Sequence, residues 1–351
     1  MQSTRARRGV DKPVDVILVI DNSGSMADEI EAIRQNINDN FARIIEDSGV
    51  DYRVIMLSLF GQQGAQVCVD PPLAGNGCQL GIFGTNNERY FHYNLEIASN
   101  DPFCKILDSL GRADPDGRAP NGWRAWLRPE AEKAFVLVTD DSARCGTAAG
   151  DDQIFFGDES SDAFSDALLF HETLLRRAPE HFGMPPDVRY RFYSIVGMPA
   201  SEPATQPWFP HQEVQSSLCD TAASAGASYQ ALSIITDALR YPVCEGRGFD
   251  AVFQVLASNV VETAKADCVF EIPDAPRGQG IDLLTINVEY RPGDGGAPVR
   301  VARAQDAGDC DAHSFTIADN RIRLCPDACE IVEGDRGAEV NVLYACVSTP
   351  E

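Results

Sequence analysis

Residues 16–25, VILVIDNSGS, join a wholly apolar run to a cluster of small polar residues. An unbroken run of Val, Ile and Leu, with no polar alternation, marks a strand covered on both faces, as in the middle of a parallel sheet. An amphipathic segment begins near Asp28, so Asp21-Asn22-Ser23-Gly24-Ser25 occupies the turn from strand to helix. Open α/β sheets bind their ligands at such carboxyl ends. Asp21, Ser23 and Ser25 offer one carboxylate and two hydroxyls from a single turn. That all-oxygen set suits a hard divalent cation such as Mg²⁺. Gly24 lets the turn double back without a Cβ clash.

Outward from this stretch, strand-like and helix-like patterns alternate. Ile30, Ile33, Ile37, Phe41, Ile44 and Ile45 line one face of a helix over 28–46, and Gly49 stops it. A strand is predicted over 52–60, followed by a long Gly-, Asn- and Pro-rich region over 61–99. A helix over 101–110 leads through a linker at 111–122 to a buried strand, AFVLVT at 134–139, which ends on Asp140-Asp141. An acidic insertion follows, then a helix over 163–177, a strand over 190–196, and helices over 216–239 and 249–261. This alternation calls for an α/β fold with a doubly wound, mostly parallel sheet flanked by helices. From Cys268 onward the texture changes to short alternating runs between Gly, Pro and Asp clusters, the pattern of a small disulfide-rich β domain. The predicted division is a tail at 1–11, an α/β domain at 12–266 and a cysteine-rich β module at 267–351.

The formal net charge of −24 argues against a nucleic-acid partner, whose phosphates need clustered Lys and Arg. No apolar stretch has the length of a transmembrane segment. Eleven cysteines scattered along the chain read as a disulfide framework with one left over. Cys325-x3-Cys329 is the only tight pair and lacks the companion pair of a zinc site. That cysteine load points to an extracytoplasmic protein, secreted, periplasmic or cell-surface; because the basic N-terminus has no apolar signal core, its signal or anchor segment is expected to be absent from this chain. Cys68 and Cys78 span a turn-rich segment that a local bridge would staple, and Cys219–Cys244 is a second expected pair.

Asp21-x-Ser23-x-Ser25 after a hydrophobic strand, with Thr139-Asp140 at the end of a later one, resembles the metal-ion-dependent adhesion site of von Willebrand factor type A domains. The resemblance implies a Rossmann-like type A fold binding Mg²⁺, with Mn²⁺ or Ca²⁺ as alternatives. It implies Asp140 as the third-loop residue. Asp141 stands where the family commonly has Gly and adds charge beside the metal. The second loop should supply a hydroxyl ahead of a helix. Thr85 in Gly-Thr-Asn matches the family's wording, whereas Ser99 matches its position just before the helix near Asp101. Position favours Ser99, and Thr85 is the alternative. The same placement puts Cys104 and Cys145 near the metal face, where a bond would brace two loops.

What the resemblance implies functionally is capture of a partner's Asp or Glu carboxylate, in adhesion or in envelope or extracellular assembly. An enzyme is not expected. The five His form no HExxH or similar motif, and Ser23-Gly24-Ser25 lacks the first Gly of a nucleophile elbow. Trp123 and Trp126 read as packing residues rather than a glycan platform. The acidic residues at 151–159 lack the spacing of a calcium loop. The alternative is an intracellular type A scaffold partnering an ATPase complex, against which the cysteine content argues.

Overall fold

Six parallel strands are built from the first three quarters of the chain: β1 (Val14–Ile20), β2 (Tyr52–Ser58), β3 (Tyr90–Asn94), β4 (Glu132–Val138), β5 (Tyr190–Val196) and β6 (Arg240–Pro242). They stand in the order β3-β2-β1-β4-β5-β6. The computed structural model describes residues 2–4, 13–78, 88–147, 153–157, 162–204, 206–244, 249–264, 268–272, 279–293, 295–318, 321–335, 339–344 and 346–348. The chain forms two compact units, 13–264 and 1–12 together with 265–351.

The period of two in β1 sends alternate residues to opposite layers. Val14, Val16, Leu18 and Ile20 face one core, with Ile30, Ile33 and Phe41 of helix α1 (residues 27–48). Ile17 and Val19 face the other, with Phe103 and Ile106 of α2 (Pro102–Ser109), Phe170 and Leu174 of α3 (Ala163–Arg177) and Tyr229 and Leu232 of α4 (Ala227–Ile235). Helix α5 (Phe249–Ala264) closes the first layer through Phe253, Leu256 and Val260. Each such side chain stabilises the fold by roughly 1.5–3 kcal/mol. A charge at Ile17 would therefore sit between sheet and helices without water or partner. Helix α1 ends where Gly49 takes φ 73°, a left-handed cap suited to glycine.

At the amino end of the sheet, the one charge within β1, Asp15, is fully buried. Arg128 compensates it, donating from Nε to Asp15 Oδ1 at 2.8 Å and from its backbone N–H to Oδ2 at 2.7 Å. Trp123 is also fully buried and donates to Ser109 Oγ, and Trp126 packs on Phe91 with ring centroids 5.2 Å apart. Both tryptophans therefore pack into the domain.

Several elements differ from the sequence reading. The region over 61–99 contains edge strand β3, whose aromatic sequence YFHYN was masked by the turn residues around it. The helix expected at 216–239 begins only at Ala227, because residues before it form a loop closed by Gly226 in a left-handed conformation. It ends at Ile235, and after a turn the short strand β6 follows from Arg240.

The second unit is a mixed module. A seven-stranded sheet runs Gln2–Thr4, Glu339–Tyr344, Asn287–Arg291, Val299–Arg303, Ser314–Ala318, Arg321–Leu324 and Val269–Glu271. Helix Pro326–Gly334 adds Ala328 and Val332 to its core beside Val288, Phe315 and Ile322. That helix was not expected in a β module. The segment read as a tail contributes a strand, with Gln2 opposite Tyr344 and Thr4 opposite Val342, because Glu339–Tyr344 leaves an edge whose backbone groups need partners. Cys268–Cys329 and Cys310–Cys325 staple this unit, so Cys325 and Cys329 go to different partners and form no zinc pair. Among the described residues, no helix is long and apolar enough to cross a membrane.

Candidate functional site

Strand order reverses between β1 and β4, so the loops leaving their carboxyl ends diverge and open a crevice there. Asp21 follows β1 and Asp140 follows β4, and the backbone N–H of Asp21 still donates to Val138 O at 3.0 Å. Both carboxylates are buried, with 0% and 4% of Asp21 and Asp140 exposed.

Asp21 is held from two sides. Its Oδ1 accepts from the Ser23 N–H at 2.7 Å, which tightens the turn, and its Oδ2 accepts from Thr139 Oγ1 at 2.7 Å. The hydroxyls of Ser23 and Ser25 lie 3.0 Å apart. Asp140 Oδ1 is buried and has no hydrogen-bond partner among the described residues. The backbone carbonyl of Asp140 accepts from the N–H groups of Ala223 and Ser224. Burial pushes the Asp21 carboxyl up to about 6, opposed by its bonds from Ser23 and Thr139 and reinforced by the charge on Asp140. Asp140 is also raised, by burial and by the neighbouring Asp141.

Ser99 reaches this cluster through its backbone: its carbonyl lies 3.2 Å from Thr139 Oγ1. The N-cap position of α2 belongs to Asp101, and Asp101 Oδ1 accepts from the Ala98 N–H at 2.8 Å. Ser99 thus precedes the cap in a half-buried turn and is not itself the cap. Asp141 is half-buried and turns Oδ1 onto the Ser142 N–H at 2.7 Å, while its own N–H meets Thr139 Oγ1 at 3.3 Å. Thr85 lies outside the described residues.

Disulfides brace these loops. Cys104–Cys145 joins the first turn of α2 to the hairpin after Asp140, and Cys219–Cys244 joins the loop before Ala223 to the segment after β6. Cys68–Cys78 closes the loop after β2. All three pairs were anticipated from the sequence. Every one lies in connections that leave the carboxyl ends of the strands.

Two residues that sequence reasoning left without a role emerge as organisers. Thr139 links Asp21 to the Ser99 segment, and a Thr-Asp pair closing an apolar strand is its only sequence signal. Asn22 bonds the loop after β2 and the segment before Ser99 at once, and nothing in its spacing marks it.

Chemically, two neighbouring hydroxyls and two buried carboxylates, one of which has a buried oxygen lacking a partner, are a donor set that fits a small hard cation. Among the described residues, no group of three or more His, Cys, Asp or Glu is placed to hold a metal. A cation here would therefore depend on the serine hydroxyls as well as on the carboxylates. No protein-family model matches this chain, and no curated protein matches it significantly.

Proposed function

We propose that this protein is a divalent-cation-dependent binding module of the type A kind, in which Ser23, Ser25, Asp21, Asp140 and the Ser99 segment hold Mg²⁺ and present it to an acidic group of a protein partner. The observation that carries this reading is the buried, partnerless Asp140 Oδ1 beside the paired hydroxyls of Ser23 and Ser25, at the sheet's switch point. The bound cation would supply an electrophilic position for a partner's carboxylate. The protein's own part is to fix the donors: Thr139 orients Asp21, the Ser23 N–H tightens the turn, and Ala223 and Ser224 hold the Asp140 backbone.

Five disulfides, three of them around this face, favour an oxidising, extracytoplasmic setting over the intracellular ATPase-partner scaffold. The test is calorimetric titration of the full chain with Mg²⁺ and Mn²⁺, followed by binding to a peptide array in Mg²⁺ or EDTA. Capture confined to peptides bearing Asp or Glu, lost in EDTA and in Asp21→Ala, is the expected result. No cation binding, or capture indifferent to the acid, would refute the proposal.

A further inference from the structure

Asn22 stands between Asp21 and Ser23 and spends both ends of its side-chain amide on segments flanking the site. Its backbone N–H donates to Ile97 O at 2.8 Å, and its Oδ1 accepts from the Ile97 N–H at 3.3 Å. One residue thus brackets both backbone groups of Ile97, as a neighbouring strand would. Oδ1 also accepts from the Leu59 N–H at 2.8 Å, and Nδ2 donates to Ala65 O at 2.6 Å. Only an amide fits all of these partners, because the segment needs an acceptor for two N–H groups and a donor for one carbonyl. A carboxylate would set its charge against Ala65 O, and a serine is too short to span the segments.

Ile97 lies two residues before Ser99, whose carbonyl meets Thr139 Oγ1. The 97–99 stretch is therefore tied at both ends to the Asp21 turn, by Asn22 at Ile97 and by Thr139 at Ser99. Leu59 and Ala65 belong to the loop after β2 that Cys68–Cys78 closes, so Asn22 also draws that loop to the same turn. We propose that Asn22 is a positioning residue for the cation site, which fixes the Ser99 segment, and with it the hydroxyl of Ser99, against Ser23 and Ser25. The inference rests on the cation reading above. It goes beyond that reading in assigning the register of the second loop to a residue that itself contributes no ligand. Ligand geometry tolerates errors of only about 0.5 Å, so a segment released at Ile97 costs affinity even when the sheet beneath is intact.

The test is Mn²⁺ titration of the full chain by calorimetry, with thermal unfolding in EDTA as the control for folding. Asn22→Ala is expected to weaken Mn²⁺ at least tenfold. Asn22→Gln, which keeps the amide but moves it by one methylene, is expected to weaken it severalfold and serves if the alanine variant does not fold. A positioning role predicts that Ser99→Ala also weakens Mn²⁺. It further predicts that the Asn22→Ala and Ser99→Ala losses are not additive in the double variant, because one acts through the other. Wild-type affinity in a folded Asn22 variant, no loss on Ser99→Ala, or fully additive losses would each overturn the inference. A wild-type chain that binds no Mn²⁺ would instead refute the cation reading itself.

Discussion

Thr139 Oγ1 lies 2.7 Å from Asp21 Oδ2, joining residues 118 positions apart in the chain across the carboxyl ends of two adjacent strands. The same hydroxyl lies 3.2 Å from Ser99 O, so one side chain touches two of the loops that form the site while belonging to the third.

Replacing that hydroxyl by a methyl isolates its contribution. Thr139→Val keeps the shape and leaves Asp21 Oδ2 buried without its donor, so chemical denaturation at pH 7 should show a loss of roughly 1.5–3 kcal/mol. The Asp21 carboxyl, already raised to about 6, should move higher still. Stability indistinguishable from wild type would mean that water replaces the hydroxyl at no cost.

Asp21 also predicts a pH dependence. Its carboxyl is raised from 3.8 to about 6 in the fold, so its contribution is fully present below pH 3.8 and is lost as pH rises through 6. The loss amounts to about 3 kcal/mol. Denaturation in EDTA across this window should show wild type falling relative to Asp21→Asn. Millimolar Mg²⁺ should stabilise wild type above pH 6 and do little at pH 4. A constant difference between the two proteins would contradict the assignment.

At the opposite end of the sheet, Arg128→Met should destabilise by about 3–5 kcal/mol, because it strands the fully buried Asp15 carboxylate. The double variant with Asp15→Leu should recover much of that loss in the same denaturation assay. Failure to recover would indicate that the Arg128 bonds to Val14 O and Asp51 matter more than the Asp15 pair.

Removing Cys104–Cys145 by the double serine substitution should lower stability by about 4 kcal/mol, from the loop entropy of a separation of 41 residues. Mn²⁺ affinity should fall with it, since the bridge joins the helix after Ser99 to the hairpin after Asp140. A calorimetric titration giving unchanged affinity would show that backbone bonds alone hold the two loops.

The sheet was legible where burial is two-sided. VILVI and AFVLV carry no polar residue, and only a central parallel strand asks for that. Edge strand β3 was not legible, because its YFHYN sequence lies beyond a long turn-rich stretch and its neighbours Glu88 and Arg89 are polar. Asp21, Ser23 and Ser25 could be named from their turn after an apolar strand, and Asp140 from the resemblance of Thr139-Asp140 to a type A third loop. Cys104–Cys145 followed from the placement of two loops at one end of the sheet, and Cys68–Cys78 from a short turn-rich span that a local bridge would staple. Asn22 and the helix Pro326–Gly334 could not be found that way. The work of Asn22 depends on which distant carbonyls and amides come within reach, and the helix is a short amphipathic segment beginning inside the closely spaced Cys325 and Cys329.

The pairing of Gln2–Thr4 with Glu339–Tyr344 brings both ends of the chain into one module, with everything between 13 and 264 looped out from it. This has a mechanical consequence. Gln2 lies opposite Tyr344, so tension applied to the two ends would peel a three-residue ladder open one rung at a time. Until that ladder parts, the load runs through the small disulfide-stapled sheet and bypasses the larger domain. Strain applied at the two ends is therefore taken up by these three rungs before any reaches the parallel sheet of residues 13–264.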